Sequence, residues 1–561
     1  MAKPLPLTQT PPAILDWSRP DTPAATAFGD IYFSTDGGLD ETRAVFLKGC
    51  GLPDRWQNRS IFTIAELGFG SGLNFLATWQ LWTKTATPTQ RLHFVSIEKF
   101  PFDRAQLARA LSAWPELESL NAQLINAWPG RVKGIHRLNF GAVTLTLVHE
   151  DVEDALDQLD NLRADAWFLD GFSPSGNPAM WSEGVMTRIS TSCASGSRLA
   201  TFSVAGAVRT ALKQAGFEVR KMPGFGRKRH RLEAEFSGKS DQPQPNIERA
   251  LIVGAGIAGR SLATALTARN IPFDIIDNRV HPAASENPVA LVKPRFDLQD
   301  RPESRFFLSA YLHSLRSYPK NAVLECGVLQ IPKTEKEAIR FEKLATQNPL
   351  GDGHLDWQET ALWIESAAVI NPSKIFDQFD IRTETLETAQ QRNEYSHVFL
   401  AAGYGIRSIA PNLAMRFSRG QLSWANPVLD QSVAYGGYAI NLDGGTLVGA
   451  THDRLGDSDP FELREEDDQN NLSALAAISG KSVTPLSRKS RASVRVTTPD
   501  TLPMIVDLGA GQSALTGLGS RGFTYAPLLA EALVADFCGE IGPLEKNLRV
   551  KFSTLRKSYH K

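Results

Sequence analysis

Two glycine-rich turns in this chain each follow an apolar run, and the charges around them differ. Residues 64–75 read IAELGFGSGLNF, with Glu66 just ahead of Gly68, Gly70 and Gly72. Glycine lets a backbone turn sharply and approach a ligand closely. A second acid, Glu98, closes the next apolar run, FVSIEK, where a carboxylate can accept both hydroxyls of a ribose. A dinucleotide turn has GxGxxG spacing and aims helix amides at a pyrophosphate. Here the spacing is GxGxG, and the neighbouring acid would repel phosphate. A cationic ligand suits it better, and S-adenosylmethionine, with its sulfonium and ammonium groups, is the expected one. Asp151 follows His149 and Glu150 and can accept a bond from an adenine amino group or cap a helix. Asp170, within AWFLDGFSPSGNPAMW (166–181), ends a strand at the edge where open α/β sheets bind ligands. Its bland alternative is a structural turn built from Gly171, Pro174 and Pro178.

The second turn lies in RALIVGAGIAGRSLATALTARNIPFDIID (249–277). Gly254, Gly256 and Gly259 sit between a strand and a helix, and Asp277 ends the next strand 23 residues after Gly254, as a ribose-binding acid should. This dinucleotide fingerprint does not separate FAD from NAD. Later segments point to FAD. HVFLAAG (397–403) is an apolar strand ending in small residues and Gly403. GLGSRGFTYAPLLAEALVADF (517–537) is a glycine turn feeding a helix, whose dipole and free amides would stabilise negative charge on a reduced flavin.

The elements that must hold these turns alternate along the chain. Strands are expected at 61–66, 93–98, 143–149, 166–170, 199–203 and 218–222, with helices between them, such as 103–112 and 204–216. That alternation predicts an α/β, largely parallel, doubly wound sheet. The second half opens in the same way at 250–253. It then becomes mixed, as a Rossmann core with an inserted antiparallel substrate domain would. No short internal repeat is present. SGKSDQPQPNI (237–247) is small, polar and proline-bearing, and reads as a linker. The expected domains are therefore 1–236 and 248–561, and the linker composition predicts that they fold separately.

Length and composition agree with two large globular units: 561 residues, 42% apolar and 22% charged. The net charge of −1 gives no protein-wide field for nucleic acid, so such a partner would need local patches. Candidates are GRKRHR (226–231), SRKSRASVR (487–495) and the basic C-terminal stretch 546–561. Cys50, Cys193, Cys326 and Cys538 are widely spaced, and the histidines show no ligand spacing, so no metal is expected. Prolines interrupt any signal-like core at the N-terminus, and no run is long enough to span a bilayer. A cytoplasmic location and no membrane partner are expected.

With those motifs in view, the first half is similar to a known family. YFSTDGGLDETRAVF (32–46), the ELGFGSGLNF loop and DGFSPSGNPAMW resemble the methyltransferase half of the bifunctional tRNA 5-methylaminomethyl-2-thiouridine biosynthesis family. The resemblance implies that Glu66, Gly68, Gly70, Gly72, Glu98 and Asp151 hold the methyl donor, with Asp170 at the amine. The second half resembles FAD enzymes of the glycine/sarcosine/D-amino-acid oxidase family. ENPVALVKPR (286–295), SRGQL (418–422), LVGATHD (447–453) and RVTTPDTLPMIVD (495–507) carry that likeness. Gly517, Gly522, Ala526 and Pro527 match that family's flavin loop, whereas 381–397 is short for it. By motif position Arg495 anchors a substrate carboxylate, with Arg521 as runner-up.

Together the resemblances imply a tRNA as substrate. The carboxymethylaminomethyl group on uridine 34 would be oxidised to an imine, whose hydrolysis releases glyoxylate and leaves an aminomethyl group, which is then methylated. The alternatives are a fused oxidase and methyltransferase acting on a free amine acid, and a cofactor-holding RNA scaffold without activity.

Overall fold

The computed structural model describes residues 9–19, 22–34, 37–226, 228–239, 247–351, 354–390, 394–455, 459–487 and 490–553. By packing, the chain forms two compact units. The first comprises Met1–Pro245, Gln299–Ser309 and Cys538–Asn547; the second comprises Asn246–Leu298, Ala310–Phe537 and Leu548–Lys561. A single cut at the expected linker therefore does not describe the units, because two later segments belong to the first. Most of that linker, 240–246, lies outside the described residues.

Buried charge explains the two extra segments. Arg91 donates to Glu540 at 2.7 Å, and both side chains are almost wholly enclosed. His93 lies 3.6 Å from the same carboxylate. The Arg137 guanidinium donates to the Ile541 carbonyl. Arg305 meets Asp300 at 2.6 Å, Glu150 at 3.2 Å and Glu545 at 3.3 Å. Buried cations need such partners, since an unpaired one costs several kcal/mol.

The first unit is built on an eight-stranded sheet. Its order is 217–223, 230–236, 193–201, 164–169, 61–67, 91–97, 143–149, 134–140. The five central strands are parallel, and antiparallel pairs close both ends. Arg91–Ile97 and Val143–His149 are buried at every position, as parallel strands covered on both faces must be. Chain order runs outward from Ile61–Leu67 on one side, then returns to Ala164–Leu169 on the other. This places a topological switch point at the carboxyl ends of those two strands, where Glu66 and Asp170 stand.

In the second unit, Phe273–Ile276, Ala250–Val253, His397–Leu400 and Gln512–Thr516 form a parallel sheet, with Met504–Gly509 antiparallel at its edge. A ten-stranded, mainly antiparallel sheet is assembled from strands within 290–370 and 416–497. The antiparallel domain is thus inserted in two lengths, on either side of His397–Leu400. The short 381–397 stretch bridges the sheet edge through Arg382, whose carbonyl accepts from the Asp277 amide at 3.0 Å. Residues 391–393 within it lie outside the described residues.

The helix Gly522–Phe537 packs on the helix Ile257–Thr267 that follows the dinucleotide turn. Pro527 lies inside it and cannot donate to the Phe523 carbonyl; the Tyr318 hydroxyl donates to that carbonyl instead. Arg269 and Glu531 join the two segments by a buried bidentate pair at 3.0 and 2.8 Å. Among the described residues no helix is long and apolar enough to cross a membrane.

Candidate active sites

At the first unit's switch point, the loop glycines are there for space and backbone sign. Gly68 and Gly72 have φ of 81° and 77°. A Cβ on Gly68 would stand 3.0 Å from the Gly171 backbone, so the two turns touch. Glu66 is 1% exposed and accepts from the Ser96 hydroxyl at 2.6 Å and the Asn74 amide at 2.8 Å. The same Asn74 amide nitrogen donates to Asp170 at 2.7 Å, and the Thr42 hydroxyl donates to the Asn74 oxygen at 2.8 Å. Asn74 is therefore a bridge between the acid beside the glycine turn and the acid at the strand end, with its amide orientation set by Thr42.

Burial raises the Glu66 carboxyl well above the usual range, against the two hydrogen bonds and with added repulsion from Asp170 and Glu98. Burial also pushes Asp170 up to about 6, against bonds from the Gly171 amide and Asn74. Both acids are thus poised to gain from a cation or a bound proton.

Glu98 faces the loop itself. It accepts from the Gly70 amide at 2.9 Å and the Phe100 amide at 2.7 Å, and burial raises its carboxyl as well. Asp151 has different company. It caps the helix Val152–Gln158 through the Glu153 amide and pairs with Lys99 at 2.9 Å. It shares no described hydrogen-bond partner with Glu66 or Asp170. Phe172, two residues beyond Asp170, stacks on Phe28 at 4.4 Å, while the Ser173 amide donates to Asp30 at 3.0 Å. The N-terminal ribbon around 24–31 is thereby held to the Asp170 turn.

In the second unit, one cavity of about 1010 Å³ is lined by Gly254, Gly256, Asp277, Gly403, Gly517 and Gly522 together with Arg495. Gly254 has φ of 108°, and a Cβ there would stand 2.4 Å from the Ala401 carbonyl. Gly259 does not line the cavity; its missing Cβ would lie 1.9 Å from the Gly254 carbonyl, so it lets the helix pack on the turn. The Asp277 carboxylate accepts from the Ala255 amide at 2.8 Å and from the Arg279 amide at 2.8 Å. Ser285 accepts from the Ile257 amide at 3.0 Å.

Arg495 lies across a glycine. A Cβ on Gly420 would stand 2.6 Å from both terminal guanidinium nitrogens, which gives SRGQL its physical reason. The guanidinium donates to the Thr451 carbonyl at 3.1 Å, and burial lowers its pKa from the usual arginine range. Lys293, from ENPVALVKPR, lines the same cavity, and burial beside Arg521 and Arg340 pushes it down to about 7.

Several residues of these sites carry no signal of their own in the sequence. Asn74 sits in a quoted motif, yet only its place on a buried helix face reveals a polar bridge. Three cations of the basic patches are ion-paired. Lys228 pairs with Glu41 at 2.9 Å, Arg231 with Glu233 at 2.6 Å and Arg491 with Glu286 at 3.2 Å. Arg227, Arg488, Lys489 and 554–561 lie outside the described residues. Among the described residues no cluster of metal-ligating side chains occurs.

Residues 115–237 match a family described as S-adenosyl-L-methionine-dependent methyltransferase, and 350–536 match one described as FAD dependent oxidoreductase. Over 563 residues the chain is 41% identical to the tRNA 5-methylaminomethyl-2-thiouridine biosynthesis bifunctional protein of Maricaulis maris (strain MCS10), covering 96% of this chain and 95% of that one. The chain belongs to that bifunctional family. The Caulobacter vibrioides member is 40% identical with 97% of each chain covered, and the Azoarcus sp. (strain BH72) member 35% identical with 96% of each covered. The two cofactors of the family, S-adenosylmethionine and FAD, fit what the two units offer. One is an acid-rich glycine turn without a pyrophosphate cradle; the other is a glycine-walled cavity with a ribose-type acid.

Proposed function

We propose that this protein remodels the wobble uridine 34 of tRNA in two steps. The second unit removes the carboxymethyl group from 5-carboxymethylaminomethyl-(2-thio)uridine, and the first methylates the resulting primary amine. The observation that carries the reading is the pair of sites within one family-length chain: a cavity with a buried arginine for a carboxylate, and an acid pair at a methyl-donor turn.

FAD, when bound, takes up the two electrons of C–N oxidation, and S-adenosylmethionine supplies the methyl group. Arg495 binds the substrate carboxylate bidentately and so orients the adjacent C–H bond. The cavity walls limit water around that bond until the imine forms; its hydrolysis leaves the primary amine and glyoxylate. In the first unit the amine must be neutral to attack. Asp170 accepts a hydrogen bond from it and takes its proton, while Asn74 holds the carboxylate in place. Glu66 and Glu98 hold the cationic and hydroxyl groups of the donor. We place the enzyme in the cytoplasm with its tRNA.

The test is nucleoside mass spectrometry on tRNA carrying the carboxymethylaminomethyl uridine. Without S-adenosylmethionine the aminomethyl nucleoside accumulates; with it the methylaminomethyl nucleoside appears. Unchanged tRNA, together with flavin reduction by free amine acids, would move the reading to a small-molecule substrate.

A further inference from the structure

The oxidation cavity holds more positive charge than a carboxylate needs. Arg495 already serves that group from its place across Gly420. Yet Lys293, Lys333, Arg340 and Arg521 line the same cavity. None of these four has an ion-pair partner among the described residues. Lys333 stands just ahead of the helix Glu335–Gln347, and Arg340 lies one turn into it with its guanidinium over the Phe341 ring at 5.5 Å. The Lys333 ammonium lies against Gly436, where a Cβ would stand 2.1 Å from it. That glycine keeps the cation within the cavity wall. The nearby acid, Glu337, is engaged: it accepts from the Lys333 backbone amide at 2.8 Å. Burial first, and then Arg521 and Arg340, lower the Lys293 ammonium from the usual lysine range, and an anion beside it would restore its charge.

Even with Glu337 beside them and Asp277, Glu384 and Glu387 elsewhere on the cavity wall, like charges gathered in this excess are unfavourable unless an anion completes them. The FAD pyrophosphate would not fill this role, because the amides suited to hold it belong to the 254–257 turn of the parallel sheet, whereas Lys333 and Arg340 flank the antiparallel sheet. A free amine acid has no second anionic group. A nucleotide within a polymer has one on each side.

We propose that Lys293, Lys333 and Arg340 form a seat for a phosphodiester of the RNA backbone beside the nucleotide being oxidised. This rests on the tRNA reading above. The seat would fix the uridine's backbone while Arg495 fixes the far end of its side chain, so the reacting C–N bond is held from both ends. It would also make substrate capture depend on salt, since each neutralised phosphate releases counterions.

Lys333 and Arg340 are exposed, so Lys333→Gln and Arg340→Gln leave the core untouched. The measurement is anaerobic flavin reduction by tRNA bearing the carboxymethylaminomethyl uridine, and separately by the free modified nucleoside, across a salt series. In the double variant the half-saturating tRNA concentration should rise by about tenfold more than that of the nucleoside. The slope of log affinity against log salt should fall by about one, the share of a single phosphate. Equal changes for tRNA and nucleoside, or an unaltered salt slope, would overturn the seat. A wild-type enzyme that reduces its flavin with the nucleoside but never with tRNA would overturn the tRNA reading itself, and the seat with it.

Discussion

In the first unit the acids at the ligand turn are already tied to the chain's own donors: Glu66 to Ser96 and Asn74, Glu98 to two loop amides, Asp170 to Asn74 and Gly171. In the second unit Lys293, Lys333, Arg340 and Arg521 of the cavity have no ion-pair partner among the described residues, and Arg495 donates to the Thr451 carbonyl. The contrast follows from the ligands. A methyl donor and a small amine bring modest charge, so a pre-tied acid network can orient them with little rearrangement. A carboxylate joined to a polyanion brings much more, and open cations wait for it. One site is built for alignment and the other for capture.

Asp170→Asn strikes the first side of this contrast hardest. Methyl transfer should fall by ~10²–10⁴-fold, the range of a lost general base, while flavin reduction by tRNA continues. Accumulation of the aminomethyl nucleoside in the digest would show it, and undiminished methylation would remove Asp170 from the chemistry. Arg269→Met tests the scaffold of the second side. It removes the bidentate arginine partner of buried Glu531, so the oxidase unit should lose about 3–5 kcal/mol in a denaturant titration followed by flavin fluorescence. A loss under 1 kcal/mol would mean the helix is held by other contacts.

Asn74→Ala separates orientation from mere stability. Asp170 must be ionised to take a proton, and its carboxyl lies at about 6, so kcat/KM for methylation should drop below that pH. Deleting a donor that favours the ionised form raises the carboxyl further. The acid limb should therefore move toward neutral pH, with a lower plateau. A limb that stays in place would make Asn74 purely structural. The smallest effect belongs to Asp151→Ala. As a helix cap it should cost about 1 kcal/mol of stability and leave the KM for S-adenosylmethionine within about twofold. A tenfold rise in that KM would restore its adenine role.

Both glycine turns are legible in the sequence, because positive φ and close backbone approach leave few residue choices. Gly254 against Ala401 and Gly68 against Gly171 are such cases. The α/β alternation is legible for a similar reason: strands covered on both faces are mostly apolar, and the polar residues they do carry need buried partners, as Arg91 does. Asn74 is not, since one amide in an apolar helix looks the same whether it bridges two acids or none. Asp151 could be read either as a cap or as an adenine partner, and only its neighbours Lys99 and Glu153 show what it does in this structure. The segments 299–309 and 538–547 were hidden as well. Local composition cannot announce that Glu540 answers an arginine in the other half of the chain.

That pairing has a consequence for how the protein is made. Arg91 and Glu540 are separated by 449 residues of chain. At about 5–20 residues per second, a ribosome that has released Arg91 needs roughly 20–90 s more to deliver its partner. The earliest-made sheet thus waits, with buried cations unanswered, until almost the last helix is synthesised. Translation order and completion order are opposed: the first unit begun cannot be finished before all but the last stretch of the second has been made.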